Sequence, residues 1–516
     1  MSNNSVSVNS LKVFKNTVKL SGANIFALAF GVLTGLVQAR ILGPINFGFL
    51  GILALITRYS GFIIDPGIRS AAFREIPFHY GKGENEKADK IKNVFISSEI
   101  IMISLFSSGV LLASFFVSDP LFKFGMITTG IFLFVLRIQD FYEAVCSVTQ
   151  NFGVISRVTI LTSILQSTII LATIYWFGIY SVLLAPIFLT LLIIFYYRSK
   201  IRLNFRFDLD IKELKRLLMI GFPLFLGTLA YWGFRLSGRT ITASFLGPKE
   251  LGYFTIASVF FTYVGIAIKD FSSAVQPNFQ EQLGRIDNVR QLKNYVEKPT
   301  LIIAFLTSFI IGVLFISAHI IFVYLLPKYS NSLVPMQILL FSIFFNSIFI
   351  MQNILLNSPK VNKQAQVAFI YLLGLLVNVG LCALFIFLHW GIIGVSIADL
   401  LTYIVLTFMV FGMAHKYHHD DLLGSIKYYF DIFAPLVYTL IILLIISRFN
   451  WYQSPSILIT GLQVIIFGLL FSPCFIYLQN KTGLFSHVVQ SIPSKWRNNI
   501  VFVNPIFNLL GEEDAD

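Results

Sequence analysis

Three arginines lie inside long apolar stretches of the sequence, where a charged side chain needs a compensating partner. Arg58 lies within the stretch 45–64, and Arg235 and Arg239 lie within the stretch 217–240. A charge in hydrocarbon costs at least about 2.5–3.5 kcal/mol on insertion scales, so each of these arginines needs a functional or structural reason. Because Arg235 and Arg239 are four residues apart, they share one face of a helix. A guanidinium group binds phosphate oxygens through two parallel hydrogen bonds, so the three arginines form a candidate anion site.

Carboxylates also occur within the apolar stretches or at their ends. Asp65 follows Arg58 by seven residues, about two helical turns, and is therefore expected on the same face. Glu99 and Asp399 each lie alone in an apolar stretch that contains no other charged residue. The three acids are candidates for coupling to a proton or cation, and the alternative is a structural hydrogen bond to a neighbouring helix.

Other polar patterns fit structural roles better than catalytic or metal-binding ones. Arg137 and Asp140 are three residues apart, which predicts an ion pair within one helix. The histidine-rich segment 415–421 lacks a second ligand cluster, and Asp208 and Asp210 have no nucleotide-binding domain around them. The three cysteines are widely spaced and form no metal or disulfide pattern. We expect no catalytic residue, no metal site and no cofactor.

The elements that carry the buried charges are long apolar helices. The chain has 516 residues, of which 56% are hydrophobic and only 12% are charged, which is too apolar for a soluble protein of this length. Apolar runs of about 20 residues are long enough to cross a hydrocarbon core about 30 Å thick. The two-residue alternation of a transmembrane β-barrel does not appear. We therefore expect an all-α integral membrane protein with about fourteen transmembrane helices. The predicted spans are 20–39, 45–64, 93–116, 124–144, 158–177, 182–197, 217–240, 251–271, 299–323, 335–356, 367–388, 392–413, 430–447 and 456–478.

The distribution of basic residues predicts the orientation of these spans. The formal net charge is +13, and 28 of the 38 lysines and arginines fall in alternate connecting segments, the first of which is the N-terminus. Only five fall in the intervening segments. By the positive-inside rule, the basic segments and both termini are cytoplasmic, and the chain lies in the cytoplasmic (inner) membrane. The positive charge is therefore a topology signal rather than evidence for a nucleic-acid partner.

A repeated motif divides the chain into two halves. Leu42-Gly43-Pro44 recurs as Leu246-Gly247-Pro248, and the offset of 204 residues also relates Gly48 to Gly252. Each copy follows the first span of its half, six spans apart, so the halves have the same orientation and form parallel repeats. The predicted domains are an N-terminal six-helix bundle at 1–200, a C-terminal six-helix bundle at 201–429, two additional helices at 430–480 and a cytoplasmic tail at 481–516. Pro223 should bend the first helix of the second half, because proline removes a helix hydrogen bond.

The sequence resembles the polysaccharide biosynthesis and export family, the O-antigen and capsule flippases, which share a superfamily with the multidrug and toxin extruders. The motifs that carry the resemblance are Ala39–Pro44, Asp65–Ile76, Gly238–Thr240 and Phe245–Tyr253. One departure concerns Gly238, because the family often has an Asp-Arg pair where this chain has Gly238-Arg239.

The resemblance also implies where the buried charges lie. Spans one, two, seven and eight line the central cavity in proteins of this kind. The resemblance therefore implies that Arg58, Arg235 and Arg239 face a wet cationic cavity, with Lys269 near its inner mouth. Parallel repeats place a transport path at the interface of the halves.

The expected function is translocation of a lipid-linked oligosaccharide or polysaccharide precursor by alternating access. The expected partners are a polyprenyl-diphosphate-linked glycan and membrane lipids, with a polysaccharide polymerase and glycosyltransferases as further candidates. One alternative is a cation-coupled small-molecule exporter of the multidrug type, although buried cations favour an anionic headgroup. A second alternative is a membrane glycosyltransferase or polymerase, but the longest predicted outer loop, near 324–334, is about ten residues, too short for a catalytic loop. We therefore expect a transporter rather than an enzyme.

Overall fold

A computed structural model describes the chain over residues 3–148, 151–201, 206–285, 293–358, 360–417, 422–448 and 456–483. These ranges fold almost entirely into helices, which agrees with the all-α prediction. The helices are α1 Asn3–Ile64, α2 Ile68–Gly81, α3 Asn85–Ser114, α4 Pro120–Val148, α5 Phe152–Phe177, α6 Ile179–Lys200, α7 Ile211–Ile241, α8 Gly247–Arg285, α9 Lys293–Ile320, α10 Leu333–Leu356, α11 Gln364–Phe387, α12 Gly391–Ala414, α13 Leu422–Arg448 and α14 Ile457–Thr482. Short π-helical segments follow α7 and α9, and short 3₁₀ turns precede α10 and follow α12.

Within the described ranges, eleven helices are long and apolar enough to cross a membrane, and α7 with α8 forms a twelfth such element, bent by 52° after Pro223. The predicted bend at Pro223 is thus present. Two of these elements each contain two of the predicted spans. α1 has a non-helical residue at Gly43 (φ 73°, ψ 172°), and Gly247, the first residue of α8, has almost the same conformation (φ 85°, ψ 179°). Dividing the chain at these two glycines leaves a helical segment for each of the fourteen predicted spans.

The two repeated Gly-Pro turns pack directly against each other. A Cβ atom added to Gly48 would lie 1.7 Å from the carbonyl oxygen of Pro248, and one added to Gly252 would lie 2.0 Å from that of Pro44. The contact is reciprocal, as expected for two related halves. Because both turns lie at one end of the helices, which we name the Gly-Pro end, the halves have the parallel arrangement that the sequence repeat predicts.

The opposite end of these helices is closed by a helix that the sequence did not reveal. The segment 65–92 was expected to be a loop, but Ile68–Gly81 forms α2, which packs on α3 and α7. A Cβ atom added to Gly221 of α7 would lie 1.9 Å from the carbonyl oxygen of Gly67. Arg216 of α7 donates a 2.9 Å hydrogen bond to Glu75 of α2. We name this the α2 end, and it lies about 30 Å from the Gly-Pro end along α1.

The chain divides into two structural units, each built from two separate stretches of sequence. Unit 1 comprises Met1–Glu281 and Ser317–Ala414, and therefore contains both Gly-Pro turns and the three arginines of the candidate anion site. Unit 2 comprises Gln282–Ile316 and His415–Asp516. Within unit 2, Phe467 and Phe471 of α14 pack on Phe309 of α9. The tail predicted at 481–516 lies outside the described residues beyond Gly483.

Candidate functional site

Arg235 projects from α7 into a group of aromatic rings. Its guanidinium carbon lies 5.7 Å from the ring centroid of Tyr231, 5.6 Å from that of Trp232 and 5.5 Å from that of Phe261. Its Nη1 also donates a 3.0 Å hydrogen bond to the Tyr231 hydroxyl. Cation–π contacts stabilise a guanidinium without neutralising it. Arg235 therefore keeps its positive charge and its remaining donors available in a half-buried position.

Arg239 lies one helical turn further along α7 and is held by α8. Its Nη2 donates a 2.8 Å hydrogen bond to the hydroxyl of Ser258. The hydroxyl of Tyr59, next to Arg58, lies 2.6 Å from the hydroxyl of Thr240, next to Arg239, so the three arginines predicted as an anion site are within electrostatic range of one another. Within the described residues, no carboxylate forms an ion pair within 4.0 Å of any of the three. The arrangement concentrates positive charge where α1, α7 and α8 meet.

Asp399 of α12 is the carboxylate that faces this group of arginines. Its Oδ1 accepts a 2.8 Å hydrogen bond from Asn378 of α11, so Asp399 is not the isolated acid that its sequence stretch suggested. A Cβ atom added to Gly238 would lie 3.2 Å from one carboxylate oxygen of Asp399 and 3.3 Å from the other. The Asp399 carboxylate thus lies in the space that a side chain at position 238 would need.

Arg58 of α1 is exposed on the wall of a cavity in the first half of the chain. The cavity has a volume of about 790 Å³, and its wall also contains Arg137 and Asp140 of α4. Arg58 therefore lines this cavity and lies within electrostatic range of Arg239. Lys269 belongs to α8, but its side chain lies outside the part of the chain that the structure describes.

Glu99 lies in an ion-pair cluster rather than alone, which corrects the expectation from sequence. The side chain is fully buried, and its Oε2 lies 3.3 Å from Nη2 of Arg69 and 3.8 Å from Nη1 of Arg137. Arg137 also lies 3.3 Å from Oδ2 of Asp140, which confirms that predicted pair. The expectation failed because Arg69 comes from α2, the helix that was predicted as a loop.

Asp65 has a local structural role at the start of α2. Its Oδ1 accepts hydrogen bonds from the backbone N–H groups of Gly67 (3.1 Å) and Arg69 (3.0 Å). These are N–H groups at the beginning of a helix, which have no partner within the helix itself. Asp65 therefore fixes the position of α2, and with it the position of Arg69 beside Glu99.

The histidine-rich segment contributes no ligand set to the described structure. His415 lies in the 3₁₀ turn His415–Tyr417, whereas His418 and His419 lie outside the described residues. Among the residues that the structure describes, no group of three or more His, Cys, Asp or Glu side chains is arranged to hold a metal ion.

Several site residues have weak or absent signals in the sequence. The Tyr231–Arg235 contact follows the four-residue helical spacing and could have been predicted. Ser258, Asn378 and Phe261 come from other helices, and no pattern in the sequence connects them to the arginines.

Comparison with solved structures identifies the fold. The lipid II flippase MurJ in an inward closed conformation has a TM-score of 0.67 and 17% identity, over 89% of this chain and 100% of that chain. An inward-facing multidrug resistance MATE family transporter of the MOP superfamily has a TM-score of 0.60 and 14% identity, over 78% and 98% of the two chains. A MATE transporter from Vibrio cholerae has a TM-score of 0.54 and 19% identity, over 80% and 98%. The chain thus has the fold of multi-pass membrane transporters.

Sequence comparison gives the family. No sequence among curated proteins matches this chain significantly. The family described as "Polysaccharide biosynthesis protein" matches residues 37–335, which is more than half of the 516 residues. The matched region includes both Gly-Pro turns and Arg58, Arg235 and Arg239. The chain therefore belongs to the polysaccharide biosynthesis protein family.

Proposed function

We propose that this protein is a flippase, which translocates a lipid-linked oligosaccharide or polysaccharide precursor across the cytoplasmic membrane by alternating access. The observation that carries the proposal is the convergence of Arg58, Arg235 and Arg239 where α1 of the first half meets α7 of the second, beside the 2.6 Å hydrogen bond between Tyr59 and Thr240. Family membership and the flippase fold of MurJ support the same function.

The substrate proposed for the arginine site is a polyprenyl diphosphate that carries a glycan. A diphosphate concentrates negative charge on oxygens that match the guanidinium fork, and a low-polarity surrounding strengthens each charge-assisted hydrogen bond. Binding also compensates the cost of keeping three guanidinium groups at membrane depth. The polyprenyl tail stays in the bilayer, so only the headgroup and the glycan pass through the protein.

Alternating access requires two ends that open in turn. At the α2 end, the contact of Gly67 with Gly221 and the hydrogen bond between Arg216 and Glu75 hold the halves together. At the Gly-Pro end, the contacts of Gly48 with Pro248 and of Gly252 with Pro44 also hold the halves together. We propose that the α2 end and both termini are cytoplasmic, as the distribution of basic residues predicts.

Asp399 is the proposed coupling residue that the geometry supports best. Asp65 and Glu99, the other two candidates, are engaged in helix capping and in the ion-pair cluster. A proton or cation bound to Asp399 would cancel the negative charge that faces Arg235 and Arg239. Cation binding at Asp399 would then favour anion binding at Arg235 and Arg239.

The alternative function is export of small molecules by a cation-coupled transporter. The MATE transporters share the fold, and the aromatic rings around Arg235 could stack on a planar drug. Organic cations, however, need acidic side chains, and the site contains three arginines facing one aspartate. The charge of the site therefore favours the flippase. We further propose that polysaccharide polymerases and glycosyltransferases are the partners that use or supply the substrate, and that the chain itself is not an enzyme.

The proposal is tested by export of surface polysaccharide from cells that depend on this protein. We expect Arg58→Ala and the Arg235→Ala/Arg239→Ala variant to reduce export at least about tenfold, because each lost charge-assisted hydrogen bond costs about 1.5–3 kcal/mol. The corresponding lysine variants should retain part of the activity, because the charge remains while the fork geometry is lost. Arg198→Ala, at the exposed end of α6, is the matched control. Normal export by well-expressed alanine variants would remove the arginine site from the mechanism.

A further inference from the structure

The cavity beside Arg58 has the size and the shape of a small-molecule site. It lies between α1, α4, α5 and α6, and Thr255 of α8 closes it on the side of the second half. Its volume of about 790 Å³ falls within the range of ligand pockets, about 300–1,000 Å³. Thr255 is three residues before Ser258, which binds Arg239, so the cavity adjoins the arginine site.

Two amide side chains in the wall of this cavity have unused hydrogen-bonding capacity. Gln38 of α1 and Gln166 of α5 both line the cavity and are half-buried. Neither has a hydrogen-bond partner in the part of the chain that the structure describes. The Thr255 hydroxyl is likewise buried without a partner. Polar groups at membrane depth that the protein does not satisfy must be satisfied by water or by a ligand.

The charged groups in the cavity wall point to a neutral polar ligand. Arg137 and Asp140 form a 3.3 Å ion pair, which presents donors and an acceptor side by side without net charge. Each amide also offers donors and an acceptor together, which suits pairs of neighbouring hydroxyl groups. Among the charged lining residues, only Arg58 is an unpaired cation, and it lies next to Tyr59, which contacts Thr240 beside Arg239. The lining therefore suits a polyhydroxylated ligand that is joined to an anionic group at one end.

We propose that this cavity binds the first sugar of the lipid-linked substrate, with Gln38 and Gln166 as specificity-determining residues. The inference rests on the proposed flippase function and adds to it a sugar subsite in the first half of the chain. Arg58 lies between the two subsites, because it lines the cavity and its neighbour Tyr59 contacts Thr240, next to Arg239. The diphosphate then lies at the arginines and the sugar lies in the cavity, beside Gln38 and Gln166.

The test compares lipid diphosphates with and without sugar on the purified full-length protein in detergent. The probes are a bare polyprenyl diphosphate and three polyprenyl diphosphates that carry one glucose, galactose or N-acetylglucosamine residue. We expect at least one sugar-bearing probe to bind the wild type more tightly than the bare lipid. In Gln38→Leu/Gln166→Leu, that preference should fall about tenfold, since each net hydrogen bond contributes about 0.5–1.5 kcal/mol. The affinity for the bare probe should be retained.

The controls separate the sugar subsite from the proposed function as a whole. Gln463→Leu removes a buried amide from α14 in unit 2 and should keep the sugar preference. The single variants Gln38→Met and Gln166→Met replace the double variant if it fails to fold. A wild type that binds none of the probes contradicts the flippase proposal itself. If the bare lipid binds but no sugar strengthens binding, or if the preference survives in the amide variants, the sugar subsite is wrong.

Discussion

Asp399 and Gly238 face each other where α12 packs against α7, and this single contact changes the charge of the arginine site. The carboxylate fills the space that a side chain at position 238 would need. The Asp399 carboxylate is oriented by the amide of Asn378. The same amide also lies 3.3 Å from the hydroxyl of Thr402. An acid placed here offsets part of the charge of Arg235 and Arg239 when no anion is bound.

Removing this carboxylate should tighten binding of the anionic headgroup and slow its release. We expect Asp399→Ala to bind polyprenyl diphosphate at least about tenfold more tightly, a change of about 1.4 kcal/mol, and to export less polysaccharide. Moving the acid onto α7 in Gly238→Asp/Asp399→Ala should restore both quantities, since the removed side chain leaves the space that the new one needs. Titration with a fluorescent polyprenyl diphosphate measures the affinity. If Asp399→Ala binds no more tightly than the wild type, Asp399 does not act as a counter-ion to the arginines.

At the scale of helices, the close approach of α2 to α7 sets how firmly the α2 end is closed. Gly221 permits backbone contact with Gly67, and Arg216 joins the two helices through Glu75 while also binding Glu213 of its own helix. Leu217 of α7 is fully buried in the apolar cluster that these helices form with α3. A wider spacing between α2 and α7 would expose Leu217 to water.

The variant Gly221→Ala should therefore favour opening at the α2 end. The added methyl group would lie 1.9 Å from a backbone oxygen, so α2 and α7 must separate. In a background without native cysteines, we expect a Leu217→Cys reporter to react several-fold faster with a water-soluble maleimide when Gly221→Ala is present. Gly380→Ala in α11 is the matched control, because a Cβ atom there meets nothing within 4 Å. If the Leu217→Cys reporter reacts equally fast in Gly221→Ala and in Gly380→Ala, the contact between Gly221 and Gly67 does not govern opening at the α2 end.

Glycine and proline residues in the sequence predicted the turns and the bend of the helices, because each of these features depends on only one or two residues. Proline after glycine marked both turns, and the structure has Gly43 and Gly247 in matching positive-φ conformations. Pro223 marked the bend in α7. In contrast, α2 is too short to span a membrane and contains Arg69, Arg74 and Glu75, so it fell in a segment between predicted spans, although its apolar face packs on α3. The contacts of Asp399 with Gly238 and of Arg69 with Glu99 join residues that are distant in sequence, and no periodic pattern in one chain encodes them.

At the scale of the whole molecule, the two halves meet at both ends and enclose the arginines between those contacts. The Gly-Pro end contains Arg40, whose Nη1 donates a hydrogen bond to the carbonyl oxygen of Tyr324, and the buried hydroxyl of Tyr329 donates one to the carbonyl oxygen of Ala39. The α2 end contains Arg216 and its acidic partners. Transport then requires that one set of contacts breaks while the other persists.

The orientation of the two ends follows from the basic residues of the connecting segments. A reporter fused after Lys92 or after Lys298 should lie in the cytoplasm, and a reporter fused after Lys328 should lie outside the cell. The physical reason is the cost of moving clustered lysines and arginines across the membrane during insertion. Alkaline phosphatase and green fluorescent protein fusions give opposite readouts for the two sides. An external reading at Lys92 would reverse the topology.

Translocation itself is the central claim, and lipid scrambling in reconstituted vesicles measures it most directly. The purified protein is placed in liposomes that contain a fluorescent polyprenyl-diphosphate-linked glycan from the cell's own pathway, and a membrane-impermeant reagent quenches the label in the outer leaflet. We predict that quenching proceeds beyond the outer-leaflet half with the wild type, remains near one half with Arg235→Ala/Arg239→Ala, and is unaffected by Arg198→Ala. Quenching that stops at one half with correctly folded wild-type protein, under an imposed proton or sodium gradient and without one, would contradict the flippase function.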